Sequence, residues 1–461
     1  MASKAPFPIV NGQYKMKAEP IVRIGIVLAQ DAKREMQFSV PSDGYRVGTE
    51  NGGDAPLEKG TVYTVRALGD GVALSPDAIG GVHASLRVAP PAGSRPTKAG
   101  DGIHVRKIVA GRGFHWQKLI DQTLSDVLEF FSQDDAIVMV NEIPIENYLT
   151  GVITGEMSGE CPIEFMKAQA IAARSWLLGQ PVAPHPGQPY LWCNDDCCQR
   201  YQGTEGWSQR AVDAIAQCRG EVLITESNKY CDARYSKSTG TVSEDAENVW
   251  AVPIEGLVAR LDAPKGSHAE KFFPVTEENL REYILGDWTK HSDAYCSPTV
   301  VPEETIKKYL GRVDETGQYF RWQKKLTQAD LRESLTTRGG LTDLASVNAL
   351  RPGARGRSGR LRELDVVYTT KDGGTKTHKF TSEYNIRAAL STKFLFSSCI
   401  LIDSDVAPDG TLRHVTLNGA GWGHGAGLCQ IGGLGRALKG QRYDEILLHY
   451  YSNVRLERIY S

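Results

Sequence analysis

The chain has 461 residues, with 53 Lys plus Arg against 55 Asp plus Glu and a formal charge of −2. At roughly 150 residues per domain this length holds about three domains, and the even charge excludes wholesale phosphate neutralisation, so no nucleic-acid partner is expected. Hydrophobic content of 41% and charged content of 23% are ordinary for a globular protein. No apolar run approaches the ~18 residues of a membrane span.

The opening MASKAPFPIVNGQYKMKAEP has no apolar core and no small-residue cleavage site, so it does not read as a signal peptide. Residues 21–29, 35–40 and 61–68 are β-branched or alternating and predict strands. The Pro/Gly-rich stretch 89–102 predicts a loop. Residues 1–115 therefore read as an N-terminal β-rich region, ahead of a core spanning 116–461. In that core, 136–144 predicts a buried strand and 145–153 a short helix. Residues 163–179 are apolar nearly all round and predict a central buried helix, with Pro162 at its first position, Cys161 at its cap and a stop at Gly179 and Pro181. Residues 212–227 read as helix, Gly cap and strand.

The charged helical patterns at 276–288 and 327–335 mark 262–350 as a helical insertion. A β-hairpin turns at Asp372-Gly373-Gly374 within 359–380. A Gly-rich loop over 419–438 precedes an amphipathic helix at 443–451. The fold class expected is α+β: a mixed β-sheet core around a central buried helix.

Four constellations could carry chemistry. Glu156 lies between a buried strand–helix element and the N-terminus of the buried helix. A lone Glu is most often solvated. Desolvation here would raise its pKa towards that of a general acid, while the following helix dipole would lower it. Cys193, Cys197 and Cys198 lie within six residues of a chain with nine cysteines, and His185 stands eight residues before Cys193. That spacing suits a tetrahedral zinc corner; the alternatives are free thiols or one disulfide, and Cys161, Cys231 and Cys429 also stand open as a fourth ligand. In Gly421-Trp422-Gly423-His424-Gly425-Ala426-Gly427 dense glycine lets backbone approach a ligand. Trp422 would offer a stacking face and His424 a donor or acceptor; otherwise the loop merely packs. Tyr235-Ser236-Lys237-Ser238-Thr239-Gly240 is not the Lys-Thr-Gly of penicillin-binding proteins, and its polar side chains are expected to line a cleft.

The stretches VNEIPIENYLTGVITGEMSGECPIEFMKAQAIAARSW (140–176), CCQRYQG (197–203), YSKSTGTVSEDAENVW (235–250), SGRLREL (358–364) and GWGHGAGLCQIGGLGRALKGQRYDEILLHYY (421–451), in this order, resemble the stage II sporulation protein D / amidase enhancer (SpoIID/LytB) family. The resemblance implies a bacterial cell-wall protein. Sporulation members are lytic transglycosylases acting on glycan strands stripped of stem peptides, while others enhance an N-acetylmuramoyl-L-alanine amidase. The family's catalytic Glu falls on Glu156. Ser158 stands where a Pro is usual and Cys161 where a Trp is usual. The family's His/Cys zinc cluster falls on Cys193 and Cys198, with Cys197 where a His would be and His185 upstream at altered spacing.

The expectation is thus a single-Glu transglycosylase forming 1,6-anhydro ends, or alternatively a non-catalytic glycan binder that activates an amidase. A zinc hydrolase at the thiols ranks last, because thiolate-rich sites are mostly structural. Lys167, Ser236, Ser238, Thr239, Trp422, His424 and Gln430 would bind glycan. Cys193, Cys197, Cys198 and His185 would hold a structural zinc, and no organic cofactor is expected. The partners implied are peptidoglycan strands and a cell-wall amidase. The location implied is extracytoplasmic, by way of an export signal that this sequence does not contain.

Overall fold

The segment AIVMVNEIP carries apolar residues on both faces because it lies inside a sheet. In the computed structural model, which describes residues 15–113, 117–182, 184–312, 314, 317–408 and 410–461, it forms the strand Ala136–Pro144 of a seven-stranded sheet. Its antiparallel neighbours are Ile21–Val27, with Ile24 opposite Asn141, and Val127–Gln133, with Phe130 opposite Met139. The two-residue strand Trp192–Cys193 adds in parallel outside Ile21–Val27. A five-stranded sheet holds Glu35–Ser39 at its centre, and its Phe38 stacks on Phe130 of the larger sheet at 5.6 Å.

The expected division at 115/116 falls between two paired strands. Ile103–Ala110 lies beside Lys118–Leu124, with Ile103 opposite Leu124. Strands before and after that point complete each other's hydrogen bonds, so neither sheet system ends there.

Helix α1 (Ile145–Glu156) leaves the central strand at Pro144 and runs three residues past the expected end at 153. Its glycines serve close packing rather than termination: a Cβ on Gly155 would lie 2.8 Å from the Arg200 carbonyl. Helix α2 (Ile163–Gly179) has the predicted span, with Pro162 rather than Cys161 as its N-cap, and every residue from Phe165 to Leu178 is buried. It packs against α1, the helices Gln209–Gln217, Gln430–Leu438 and Tyr443–Tyr450, and the strand Glu221–Thr225.

The segment 262–350 is not purely helical. It contains the helices Glu277–Leu285 and Gln328–Thr337, but also the strands Arg321–Thr327 and Leu344–Pro352. These pair with Leu412–Ala420 and Glu363–Thr370, giving a second β-rich unit with its own core around Leu331, Val347, Val366, Leu390 and Leu417. The charged residues Arg321, Lys324 and Lys325 in RWQKKLT obscure the alternation that marks it as a strand. The hairpin Glu363–Thr370/Thr375–Thr381 turns where expected. The Gly-rich stretch 419–438 ends in the helix Gln430–Leu438 instead of continuing as a loop. Glycines there meet neighbours too closely for any side chain, Gly435 against the Tyr295 carbonyl. Among the described residues no helix is long and apolar enough to cross a membrane.

Candidate active-site cleft

Glu156 is the last residue of α1, where the negative end of the helix dipole disfavours an anion. It is only 8% exposed. Oε1 accepts the Arg200 backbone N–H at 3.1 Å and the Tyr235 hydroxyl at 3.2 Å, and Oε2 accepts the Gln430 amide at 3.2 Å. All three donors are uncharged. Burial pushes its pKa up, and the more distant charges of Arg200 and Lys237 only partly offset this. A carboxyl of that kind can hold a proton and give it to a leaving oxygen.

The surrounding cations are neutralised by a residue far along the chain. Asp314 accepts from Arg200 at 2.6 Å and from Lys237 at 2.8 Å, and Lys237 also donates to the Glu156 carbonyl at 2.7 Å. Desolvation would raise Asp314, but Lys237 and Arg200 outweigh it and hold its carboxyl at about 2. Arg200 also pairs with Asp196 at 3.0 Å. Sequence reasoning gave no role to Arg200 or Asp314, or to Tyr235 and Lys237 individually. The last two were visible as part of a polar turn; Asp314 carried no signal.

These groups line one cleft of about 1090 Å³. Of the expected glycan residues, Ser236, Trp422, His424 and Gln430 line it with Glu156. The Ser236 hydroxyl is buried there with no hydrogen-bond partner among the described residues. Trp422 stacks on Phe396 at 4.0 Å and tilts against Tyr319 at 4.8 Å. His424 meets Trp250 edge-on at 4.9 Å, and the Arg234 guanidinium also lies over the Trp250 ring at 4.0 Å. Burial, with Arg234, Arg387 and Arg360 nearby, pushes the His424 imidazole down to about 3. The neutral ring accepts the Ala426 N–H at Nδ1, 3.1 Å away, which leaves the proton on Nε2.

Ser238 and Thr239 lie behind the lining. Ser238 exchanges backbone hydrogen bonds with Trp422 at 2.7 and 3.0 Å, and the Thr239 N–H donates to Cys429 Sγ. They fix the polar turn against the glycine loop. Lys167 is not on the cleft wall: its ammonium pairs with Glu164 at 2.5 Å and sits over the Tyr443 ring. Its place on α2 faces the C-terminal helix, so the structure gives it a packing role in place of the expected glycan contact.

At another part of the cleft, lined by Cys197 and Cys198, these two with His185 and Cys193 bring one ligand atom each within 4.8 Å of one another. Cys193 and Cys197 sulfurs are 3.1 Å apart, and Cys198 Sγ is 3.4 Å from His185 Nε2. Three thiols and an imidazole gathered so tightly fit a single tetrahedral metal, whose bonds to sulfur are ~2.3 Å. The cysteines left open as a fourth ligand lie elsewhere: Cys161 donates to the Tyr309 carbonyl, Cys231 to Glu255, and Cys429 caps the helix Gln430–Leu438. A second group, Asp262, Cys296 and Cys429, is wholly buried. Asp262 is already bound by Arg436 at 2.9 Å and Tyr450 at 2.7 Å.

Residues 133–224, which hold Glu156, Arg200 and the thiol corner, match the stage II sporulation protein family SpoIID. The chain carries a SpoIID domain. Residues 277–427, which hold Asp314, Phe396, Trp422 and His424, match a domain of unknown function, DUF8618. The chain is 27% identical over 314 residues to the amidase enhancer of Bacillus subtilis, an overlap of 67% of this chain and 40% of that protein. It is 24% identical over 331 residues to stage II sporulation protein D of Bacillus amyloliquefaciens, covering 68% of this chain and 74% of that protein. An uncharacterized protein of Brachyspira hyodysenteriae is 26% identical over 335 residues, 71% of this chain and 70% of its own length. The chain therefore spans well under half of the amidase enhancer.

Proposed function

We propose that the protein is a peptidoglycan lytic transglycosylase acting outside the cytoplasm, with Glu156 as its acid and base. The observation that carries this reading is the environment of the cleft carboxylates. Asp196, Asp314 and Glu383 are each paired with an Arg or Lys, whereas Glu156 is held by uncharged donors and pushed towards its protonated form. A hydrolase of the usual kind needs two working carboxylates. A lytic transglycosylase needs one, because the nucleophile is internal. Glu156 protonates the oxygen linking N-acetylmuramic acid to N-acetylglucosamine, and the C1–O bond breaks. The muramic acid C6 hydroxyl then bonds to C1 and returns its proton to Glu156, giving the 1,6-anhydro end. Ser236, His424 and Trp422 contact the strand.

The name of one relative, amidase enhancer, favours a second reading. In it the cleft binds glycan without cutting and recruits a cell-wall amidase. Incubating the protein with peptide-stripped glycan and analysing the products separates the two. New anhydromuramyl ends support the enzyme; intact strands in the presence of tight binding support the enhancer.

We also propose that Cys193, Cys197, Cys198 and His185 hold one zinc ion in a structural role. With four protein ligands the ion would have no open position, and it would pin the 185–198 loop beside the strand Ile21–Val27. Protein purified without added metal is expected to carry about one equivalent of zinc, tightly held. Metal-free protein that melts at the same temperature would dismiss the site.

A further inference from the structure

The cleft continues past Glu156 onto a wall made by the second β-rich unit, where Lys324, Arg387, Lys393, Tyr384, Phe394 and Phe396 line it. Charge on this wall is one-sided. Its carboxylate, Glu383, is engaged by Arg387. Lys324 is half-buried and donates to the neutral Ser391 hydroxyl at 2.8 Å; Lys393 is exposed. Neither lysine has an ion-pair partner among the described residues. Asp330, the carboxylate nearest in effect to Lys324, is committed to capping its own helix through Thr327. Burial, together with the charge of Lys393, lowers the pKa of the Lys324 ammonium against the pull of Asp330. Two ammonium groups that disfavour each other in a partly desolvated wall gain from an anion placed between them.

The rings beside them define what kind of anion fits. Lys324 Nζ lies 5.7 Å from the Phe396 centroid, Phe396 stacks on Trp422, and Phe394 meets Tyr384 at 4.9 Å. Trp422 is bonded through its backbone to Ser238, next to the Lys237 that holds Glu156. Aromatic faces thus lead from the acid to the lysine pair, an arrangement suited to pyranose rings bearing a negative substituent.

We propose that Lys324 and Lys393 form an anion subsite that takes the carboxylate of an acidic amino sugar, while Phe396 and Trp422 take the sugar faces. The inference rests on the reading of the cleft as a glycan groove and adds the feature of the strand that is recognised. A muramyl residue presents a free lactyl carboxylate only when no peptide is joined to it. An amide-linked peptide removes that charge, and chitin never has it.

The test is binding, in a Glu156→Gln background so that strands are not consumed. Peptide-free muramyl glycan oligomers and chitin oligomers of equal length are titrated by calorimetry at low and high salt. The lysines intact, the acidic strand should bind more tightly, and this preference should shrink at high salt. Lys324→Gln/Lys393→Gln should lose about three- to tenfold in affinity for the acidic strand and far less for chitin. Lys393→Gln alone, at an exposed position that folding does not need, should show part of the loss, and Lys324→Arg should retain the preference. A double variant that keeps the preference overturns the subsite, as does an equal loss for both oligomers. Failure of the parent protein to bind either oligomer would overturn the glycan reading itself.

Discussion

The two ends of α1 each bury a glutamate, and their surroundings could hardly differ more. Glu146, in the first turn, meets the fully buried Arg174 at 2.5 Å, the Gly220 N–H at 3.1 Å and the Tyr460 hydroxyl at 2.5 Å. Glu156, at the last position, has a backbone N–H, a phenol and an amide hydrogen-bonded to its carboxyl oxygens, and among the described residues no ion pair is made by that carboxyl. Burial is nearly the same, 4% against 8% exposed. What faces the carboxyl decides the role: a matched cation makes a structural pair, whereas neutral donors at the negative end of a helix leave a proton worth keeping.

The contrast is broken most severely at Glu146. Glu146→Ala strands the Arg174 charge in the core and should cost about 3–5 kcal/mol of stability. Denaturant melts check this, and a loss below ~1 kcal/mol would mean the pair contributes little. Glu156→Gln should do the reverse. Cleavage should fall by at least ~10²-fold, with no loss of fold. The raised pKa of Glu156 means that wild-type stability is fully present below the ordinary glutamate pKa and declines as pH climbs through the folded value. The amide has no such decline, so the melting temperature of the variant should gain on that of the wild type as pH rises across this window.

Asp314 sharpens the comparison from outside. Its carboxyl, held at about 2, contributes roughly 2 kcal/mol above the ordinary aspartate range, lost as pH falls through about 2. Asp314→Asn should lose about that much at neutral pH. It should also expose Glu156 to the Lys237 charge, no longer countered by Asp314, and to an Arg200 left with Asp196, moving the alkaline limb of the rate profile to lower pH. A profile that does not move would show that the clasp is only structural. The smallest effect is expected at Trp422. Half-buried against Phe396, Trp422→Ala should cost about 1–2 kcal/mol, short of the ~3–5 of a fully enclosed aromatic, together with weaker binding of glycan oligomers. Unchanged affinity per folded molecule would make it a packing residue.

Local chemistry was legible in the sequence where neighbours in sequence are neighbours in space. α2 announced itself by apolar residues on every face, and the thiol corner by three cysteines within one turn of chain. Glu156 was legible as a residue but not as the end of a helix, because the helix was expected to stop at 153, whereas Gly155 packs closely on the Arg200 carbonyl and the helix runs on through it. The same substitution of packing for flexibility hid the helix Gln430–Leu438. Long-range closure was not legible. Nothing local in Asp314 points to Lys237, 77 positions earlier, nor does the charged strand Arg321–Thr327 disclose its partner Leu412–Ala420. Lys167 failed for a related reason: periodicity on a helix buried all round does not say which side faces the cleft.

The clasp of Asp314 on Lys237 and Arg200 bears on how such a protein can be cut and recombined. The SpoIID match at 133–224 contains the acid and Arg200, but Tyr235, Lys237, Asp314 and Gln430 all lie beyond it. A fragment excised at that border, or a chimera joining it to a foreign second half, would inherit Glu156 without the hydroxyl, amide and counter-charge that set its environment. The two matched segments, 133–224 and 277–427, and the stretches between and after them that carry Tyr235, Lys237 and Gln430 are separate in sequence but a single heritable unit of chemistry, and a lineage that exchanged one segment alone would have to rebuild the other side of the cleft.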